Sequence, residues 1–287
     1  MIAVEQLTDS CTYHGEGPVW DAAAGLLRWV DLLAGDVLSL SPSAGGTPSR
    51  LRVGQVAAAV RPRHHGGLVI AVERGFTLLD PGASEPRPLP ELWSDASVRM
   101  NDGACDPQGR FYCGSMPYDG AAGRGALYRL DGDGSTHRVL AGVTISNGLV
   151  WSNDGSTVFY IDSPTQRVDA FDFDPRSGAF SGRRTVVEIP PEHGMPDGMA
   201  IDADGGLWVA LWGGGAVHRY LPDGRLDAIV ELPVRQVTAC AFGGESLGDL
   251  FISTSRMDIP DREQPGAGAL FHAVPGVAGL PAAAFDG

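Results

Sequence analysis

The chain has 287 residues and a formal net charge of −14 at pH 7, a balance that argues against nucleic acid and anionic membrane as partners. Its 40 glycines and 21 prolines interrupt the chain too often for long helices and point to many short strands joined by turns. The four cysteines (Cys11, Cys105, Cys113 and Cys240) have neither CxxC spacing nor a disulfide framework; the last three sit among apolar strand residues and read as small core side chains.

The N-terminal stretch from Met1 to Gln6 lacks a basic start and an apolar signal core. No segment approaches membrane-spanning length, so a cytoplasmic protein is expected. Ala3–Leu7 has the composition of a strand that could pair with the last repeat and close a ring. Beyond it, one pattern recurs six times: a glycine followed by a burst of strand formers, led by Gly25, Gly67, Gly109, Gly155, Gly205 and Gly248. These glycines stand 42, 42, 46, 50 and 43 residues apart. A period in that range marks a four-stranded propeller blade, because one such sheet cannot bury both faces alone. A second strand follows in each repeat, at Asp36–Leu40, Gly75–Asp80, Gly125–Leu130, Arg167–Asp174, Gly215–Tyr220 and Gly268–Ala273. Turns such as Asp131-Gly-Asp-Gly, Pro175-Arg-Ser-Gly and Pro222-Asp-Gly then lead into a more polar strand. The segment Met257–Gly266 reads as a surface loop. With no linker between repeats, residues 1–287 form one all-β domain, a six-bladed β-propeller.

Four polar motifs stand just ahead of apolar runs, each in a different repeat and at the same place within it: His14-Gly-Glu16-Gly, Arg99-Met-Asn101-Asp102-Gly, Ser146-Asn147-Gly and Pro196-Asp197-Gly. One Asn-Gly or Asp-Gly is the ordinary signature of a hairpin turn, and Pro222-Asp223-Gly224 is explained fully that way. Four in register are not, because a turn has no reason to prefer one position in successive repeats. In a propeller that position lies at one mouth of the central channel, where Glu16, Asn101, Asp102, Asn147 and Asp197 would face one another.

Oxygen-only donors suit hard divalent cations. Glu16, Asp197 and the Asn147 amide oxygen would supply three ligands in the channel and leave room for water and substrate. Such an ion serves hydrolysis or carbonyl polarisation, although structural cation binding uses the same donors. Other candidates fall away. Asp131-Gly-Asp133-Gly-Ser135 resembles an EF-hand start, but Gly142 occupies the twelfth position where a bidentate Glu is needed. His64 and His65 lack a partner motif and read as exposed. His14 and His193 lie near Glu16 and Asp197 in sequence and are candidate hydrogen-bond donors to them. Neither a G-x-S-x-G elbow nor a P-loop is present.

These motifs, together with Tyr160-Ile-Asp-Ser, Asp169-Ala-Phe-Asp-Phe-Asp, Leu207-Trp-Val-Ala and Gly268-Ala-Leu-Phe, resemble the regucalcin, gluconolactonase and luciferin-regenerating-enzyme family over nearly the whole chain. The resemblance implies a six-bladed propeller with one divalent cation (Ca, Zn, Mn or Mg) in its channel. It implies metal ligation by Glu16, Asn147 and Asp197, with Asp197 also the acid/base, and substrate contacts from Arg99 and Asn101. Asp119 falls where the family carries a substrate-contacting Glu, and the shorter side chain is a departure. The implied activity is the opening of a sugar lactone to its aldonic acid. Alternatives are a phosphotriesterase-like hydrolase on the same propeller and a non-catalytic calcium-binding regulatory protein. A closed ring has no free edge that demands a partner, so a monomer or weak homo-oligomer is expected.

Overall fold

The computed structural model describes residues 2–260 and 263–287. Six antiparallel four-stranded sheets are arranged as the repeats predict. Blade 1 runs outward through Gly15–Asp21, Leu26–Asp31, Asp36–Leu40 and Ser49–Arg52. Blade 6 is completed in a different way. Its inner strands Val237–Gly243, Asp249–Thr254 and Leu270–Ala273 are joined on the outside by Val4–Gln6 from the other end of the chain. Val4 stands opposite Ala273 and Gln6 opposite Phe271. The ring is thus closed by the N-terminal strand expected to close it.

In every blade the glycine-led apolar run forms the second strand, and the polar motifs belong to the innermost one. The inner strands are Gly15–Asp21, Ala57–Pro62, Val98–Cys105, Ser146–Trp151, Met195–Ile201 and Val237–Gly243. They crowd toward the axis, and small residues admit the approach. A Cβ on Gly148 would stand 2.8 Å from the Cβ of Met199 and 2.9 Å from the carbonyl oxygen of Asp197. Between blades the second and third strands bury large side chains such as Trp29, Tyr112, Tyr160 and Trp208. Cys105, Cys113 and Cys240 are buried in this packing, whereas Cys11 is half-buried. His64 and His65 are exposed, as expected. Met257–Gly266 carries no strand among its described residues, and positions 261 and 262 lie outside them.

Each of the six inner strands breaks register with its neighbour at the same level: between Glu16 and Val19, Ala57 and Ala59, Met100 and Gly103, Asn147 and Leu149, Pro196 and Met199, and Val237 and Ala239. A bulge inserts an unpaired residue and re-aims side chains, which is why bulges gather beside active sites. Here the ring of bulges coincides with the four polar motifs.

The C-terminal segment after the last strand crosses the far face of the ring. Gly279 bridges to Asp202 in blade 5, and Phe285 bridges to Arg63 in blade 2. The Asp286 amide donates to the Gly109 carbonyl in blade 3 at 2.8 Å. Together with Leu280–Ala283, the channel walls line an open cavity of about 320 Å³ that begins at Gly17, Asp102 and Gly198. No helix among the described residues is long and apolar enough to cross a membrane.

Candidate functional site

Glu16, Arg99, Asn101, Asn147 and Asp197 come from blades 1, 3, 3, 4 and 5, and all are buried. A run of hydrogen bonds ties three of them together. Arg99 donates from a terminal nitrogen to the Asn101 side-chain oxygen at 2.7 Å. The Asn101 amide nitrogen donates to the Asn147 side-chain oxygen at 2.9 Å and to the Ser146 carbonyl at 2.8 Å. The Asn147 amide nitrogen in turn donates to the Ser163 hydroxyl at 2.7 Å. Both Asn101 amide hydrogens are therefore spent, so that side chain can meet a ligand only as an acceptor. Asn147 is held with its oxygen committed once and a lone pair remaining. Ser163 fixes that orientation, the supporting role that outer partners play for a ligating group. Sequence reasoning did not single it out, although it follows Asp162 in one of the family-like stretches.

The carboxylates are electrostatically unhappy together. Burial, and then the neighbouring Asp102, push the Glu16 carboxyl from 4.5 up to about 8. Asp197 is raised well above its ordinary value by burial and by Glu16 and Asp102. Burial likewise raises Asp102, with Arg61 offsetting part of the effect. Glu16 accepts one backbone hydrogen bond, from Gly17 at 3.1 Å. Such a trio demands either protons or a cation. Among the described residues no three His, Cys, Asp or Glu side chains stand close enough to hold an ion by themselves; the candidate set is two carboxylates and one amide. Its all-oxygen chemistry and unmet negative charge fit a hard divalent cation.

His14 closes one side of the cluster. Its Nδ1 is 2.9 Å from the Ser255 hydroxyl, and its Nε2 is 3.9 Å from Glu16. Burial, reinforced by Arg99, lowers its pKa to about 3, so the ring is neutral at physiological pH. Its ring packs in a T-shaped arrangement with Trp212, the centroids 5.7 Å apart.

Residues 14–256 match the SMP-30/Gluconolactonase/LRE-like region. The chain belongs to this family. It is 37% identical over 293 residues to regucalcin of Danio rerio, covering 100% of this chain and 99% of that one. It is 35% identical over 271 residues to YvrE of Bacillus subtilis (strain 168), a candidate sugar lactone lactonase, covering 92% of each. In three dimensions it is similar to the crystal structure of a calcium-binding protein, regucalcin from Agrobacterium tumefaciens. There the TM-score is 0.93 at 28% identity, covering 99% of this chain and 97% of that one.

Two expected participants make no hydrogen bond to the cluster among the described residues of this SMP-30/gluconolactonase-like protein. Asp119 is exposed on the loop after the blade 3 strand Phe111–Pro117, and one of its oxygens accepts the Ala121 amide hydrogen at 3.0 Å. Its other oxygen is 4.0 Å from Arg124. His193 rests on His218, with ring centroids 5.1 Å apart, and its Nδ1 has no hydrogen-bond partner among the described residues. No hydrogen bond joins it to Asp197 among those residues.

Proposed function

We propose that this protein is a divalent-metal-dependent hydrolase that opens a sugar lactone to its aldonic acid. The observation that carries this reading is the meeting of mutually repelling carboxylates with an arginine–asparagine pair at one level of the channel. Membership of a family whose name includes gluconolactonase, and similarity to a candidate sugar lactone lactonase, support the substrate class. Glu16, Asn147 and Asp197 would hold the cation, and the all-oxygen donor set suits Ca, Mg or Mn better than Zn. When bound, the ion supplies Lewis acidity toward the lactone carbonyl.

The chain's own groups do the rest. Asp197 takes a proton from the attacking water as its oxygen adds to the carbonyl carbon. It returns that proton to the ring oxygen when the acyl–oxygen bond breaks, giving a hydroxyl and a carboxylic acid. Arg99 and Asn101 hold substrate oxygens, one as donor and the other as acceptor, and Asp119 accepts a hydroxyl from the rim. Held this way, the ring is fixed for attack. A purely cation-binding role would account for Asn101, which orients Asn147, but would leave the free N–H donors of Arg99 without a purpose.

The test is Asp197→Asn. Removal of a general acid/base costs roughly 10²–10⁴ in rate, so kcat should fall on that scale while calorimetry still registers cation binding. Near-full turnover with the metal retained would overturn the assignment.

A further inference from the structure

Arg99 is a buried cation held in an unusual way. Its charge is met only at a distance by Glu16 and Asp197, and its Nε–H has no acceptor among the described residues. One terminal nitrogen is engaged with the Met100 carbonyl at 2.9 Å and with Asn101. What lies against the guanidinium is an aromatic ring: its carbon stands 5.7 Å from the centroid of Tyr118.

Tyr118 is 47% exposed at the channel rim, where an unattached ring would be free to swing. It is instead pinned. Its hydroxyl donates to Glu73 at 2.7 Å, and the other Glu73 oxygen accepts from Arg74 at 3.0 Å. Arg74 is anchored in turn by Glu91 at 2.8 Å. The Glu73 carbonyl also accepts the Met100 amide hydrogen at 2.8 Å, which fixes the blade 2 corner directly beside Arg99. Burial and then Glu73 raise the Tyr118 phenol to about 12, so it remains a donor at any physiological pH. The residue beside it, Asp119, uses a carboxylate oxygen on its own turn.

We propose that Tyr118, locked by Glu73, is the positioning residue that aims Arg99 at the hydroxyl groups of the substrate, and so sets the preference for polyhydroxylated over plain lactones. This rests on the lactonase reading and adds to it the element that selects among lactones. A guanidinium stacked on a ring keeps its charge and its outward N–H donors, whereas one paired with a carboxylate would have spent both. The family motifs contain Arg99 but neither Glu73 nor Tyr118.

The experiment compares wild type, Tyr118→Phe, Tyr118→Ala, Arg99→Ala and the Tyr118→Ala/Arg99→Ala double variant, all saturated with cation. KM and kcat are measured on glucono-1,5-lactone and on unsubstituted γ-butyrolactone, and gluconate binding is followed by calorimetry. Tyr118→Ala should raise KM for the hydroxylated lactone roughly three- to tenfold, the scale of a cation–π contact, with a smaller change in kcat. On γ-butyrolactone it should change little. Tyr118→Phe keeps the ring but loses the hydrogen bond to Glu73, and should show a KM for the hydroxylated lactone between those of wild type and Tyr118→Ala. In the Arg99→Ala background Tyr118→Ala should add nothing further, the non-additivity of residues that act as one. Additive effects, or an equal KM rise on both lactones, would overturn the proposal. Absence of turnover in the wild type would sink the lactonase reading but leave the gluconate arm. There, coupled losses at Tyr118 and Arg99 would uphold the positioning role, and independent losses or no gluconate binding would overturn it.

Discussion

Replacing Glu16 by Gln should stabilise the cation-free protein while weakening its response to cation. The Glu16 carboxyl is buried against Asp102 and Asp197, where its pKa rises from 4.5 to about 8. Between those two values the unfolded chain releases the Glu16 proton and the folded chain keeps it. Folded stability therefore falls as pH rises through the window. Each pH unit is worth about 1.4 kcal/mol. From pH 5 to pH 7 the chelated wild type should thus lose about 2–3 kcal/mol that Glu16→Gln does not lose. For a domain of this size that corresponds to roughly 5–10 °C in melting temperature. Calorimetric melts of both proteins in chelator at pH 5, 6 and 7 read the difference directly. Saturating cation should then restore the wild type by about 3 kcal/mol at a hundredfold excess over Kd, and the variant much less. Parallel pH curves for the two chelated proteins would refute the claim that Glu16 is strained by its neighbours.

Two further predictions concern the scaffold. Asp202 is fully buried at the far end of the inner strand that carries Asp197, where it pairs with Arg219 at 2.7 Å and accepts from Trp208 at 2.8 Å. Asp202→Ala should cost about 2–3 kcal/mol because it leaves the Arg219 Nε–H and the Trp208 indole N–H without an acceptor while Asp227, 2.6 Å from Arg219, still meets the charge, read as a lower denaturation midpoint with KM unchanged in the native range. His272 sits between Glu5 and Asp249, 2.8 Å from each, where the N-terminal strand closes the ring. Burial opposes its charge, but the two carboxylates outweigh it and raise its pKa above 6.5. That stabilisation is complete below the unfolded pKa and is lost as pH rises through the folded one. Wild type should lose stability relative to His272→Ala over that interval, by less than about 1 kcal/mol given the exposure of Glu5, as followed by urea melts.

The blades were legible because each must bury an apolar second strand, so Gly25-Leu-Leu-Arg-Trp-Val and its five counterparts repeat the same pattern. The closing strand Val4–Gln6 was legible because a ring of sheets leaves one edge to be satisfied. The convergence of Glu16, Asn101, Asn147 and Asp197 followed from motif register alone, since equal positions in successive blades face one axis. The physical device that turns these side chains inward, a bulge in every inner strand, shows in sequence only as misplaced glycine and polar residues within a strand. The C-terminal segment that crosses the far face could not be read, because it docks through isolated backbone bridges and single apolar side chains such as Phe285, which set no periodicity. The pinning of Tyr118 by Glu73 was equally hidden, since it joins residues 45 positions apart on loops of different blades. Asp119 shows what motif resemblance does not carry: its exposure and its hydrogen bond to Ala121 are set by the local loop.

The most direct test of the account is proton release from a panel of aldonolactones by chelated protein and by protein restored with Ca²⁺, Mg²⁺, Mn²⁺ or Zn²⁺. A metal-dependent lactonase should show no turnover after chelation and should recover with at least one ion, on a subset of lactones whose shared stereochemistry identifies the sugar. Tight cation binding without lactone opening under any of the four ions would contradict it.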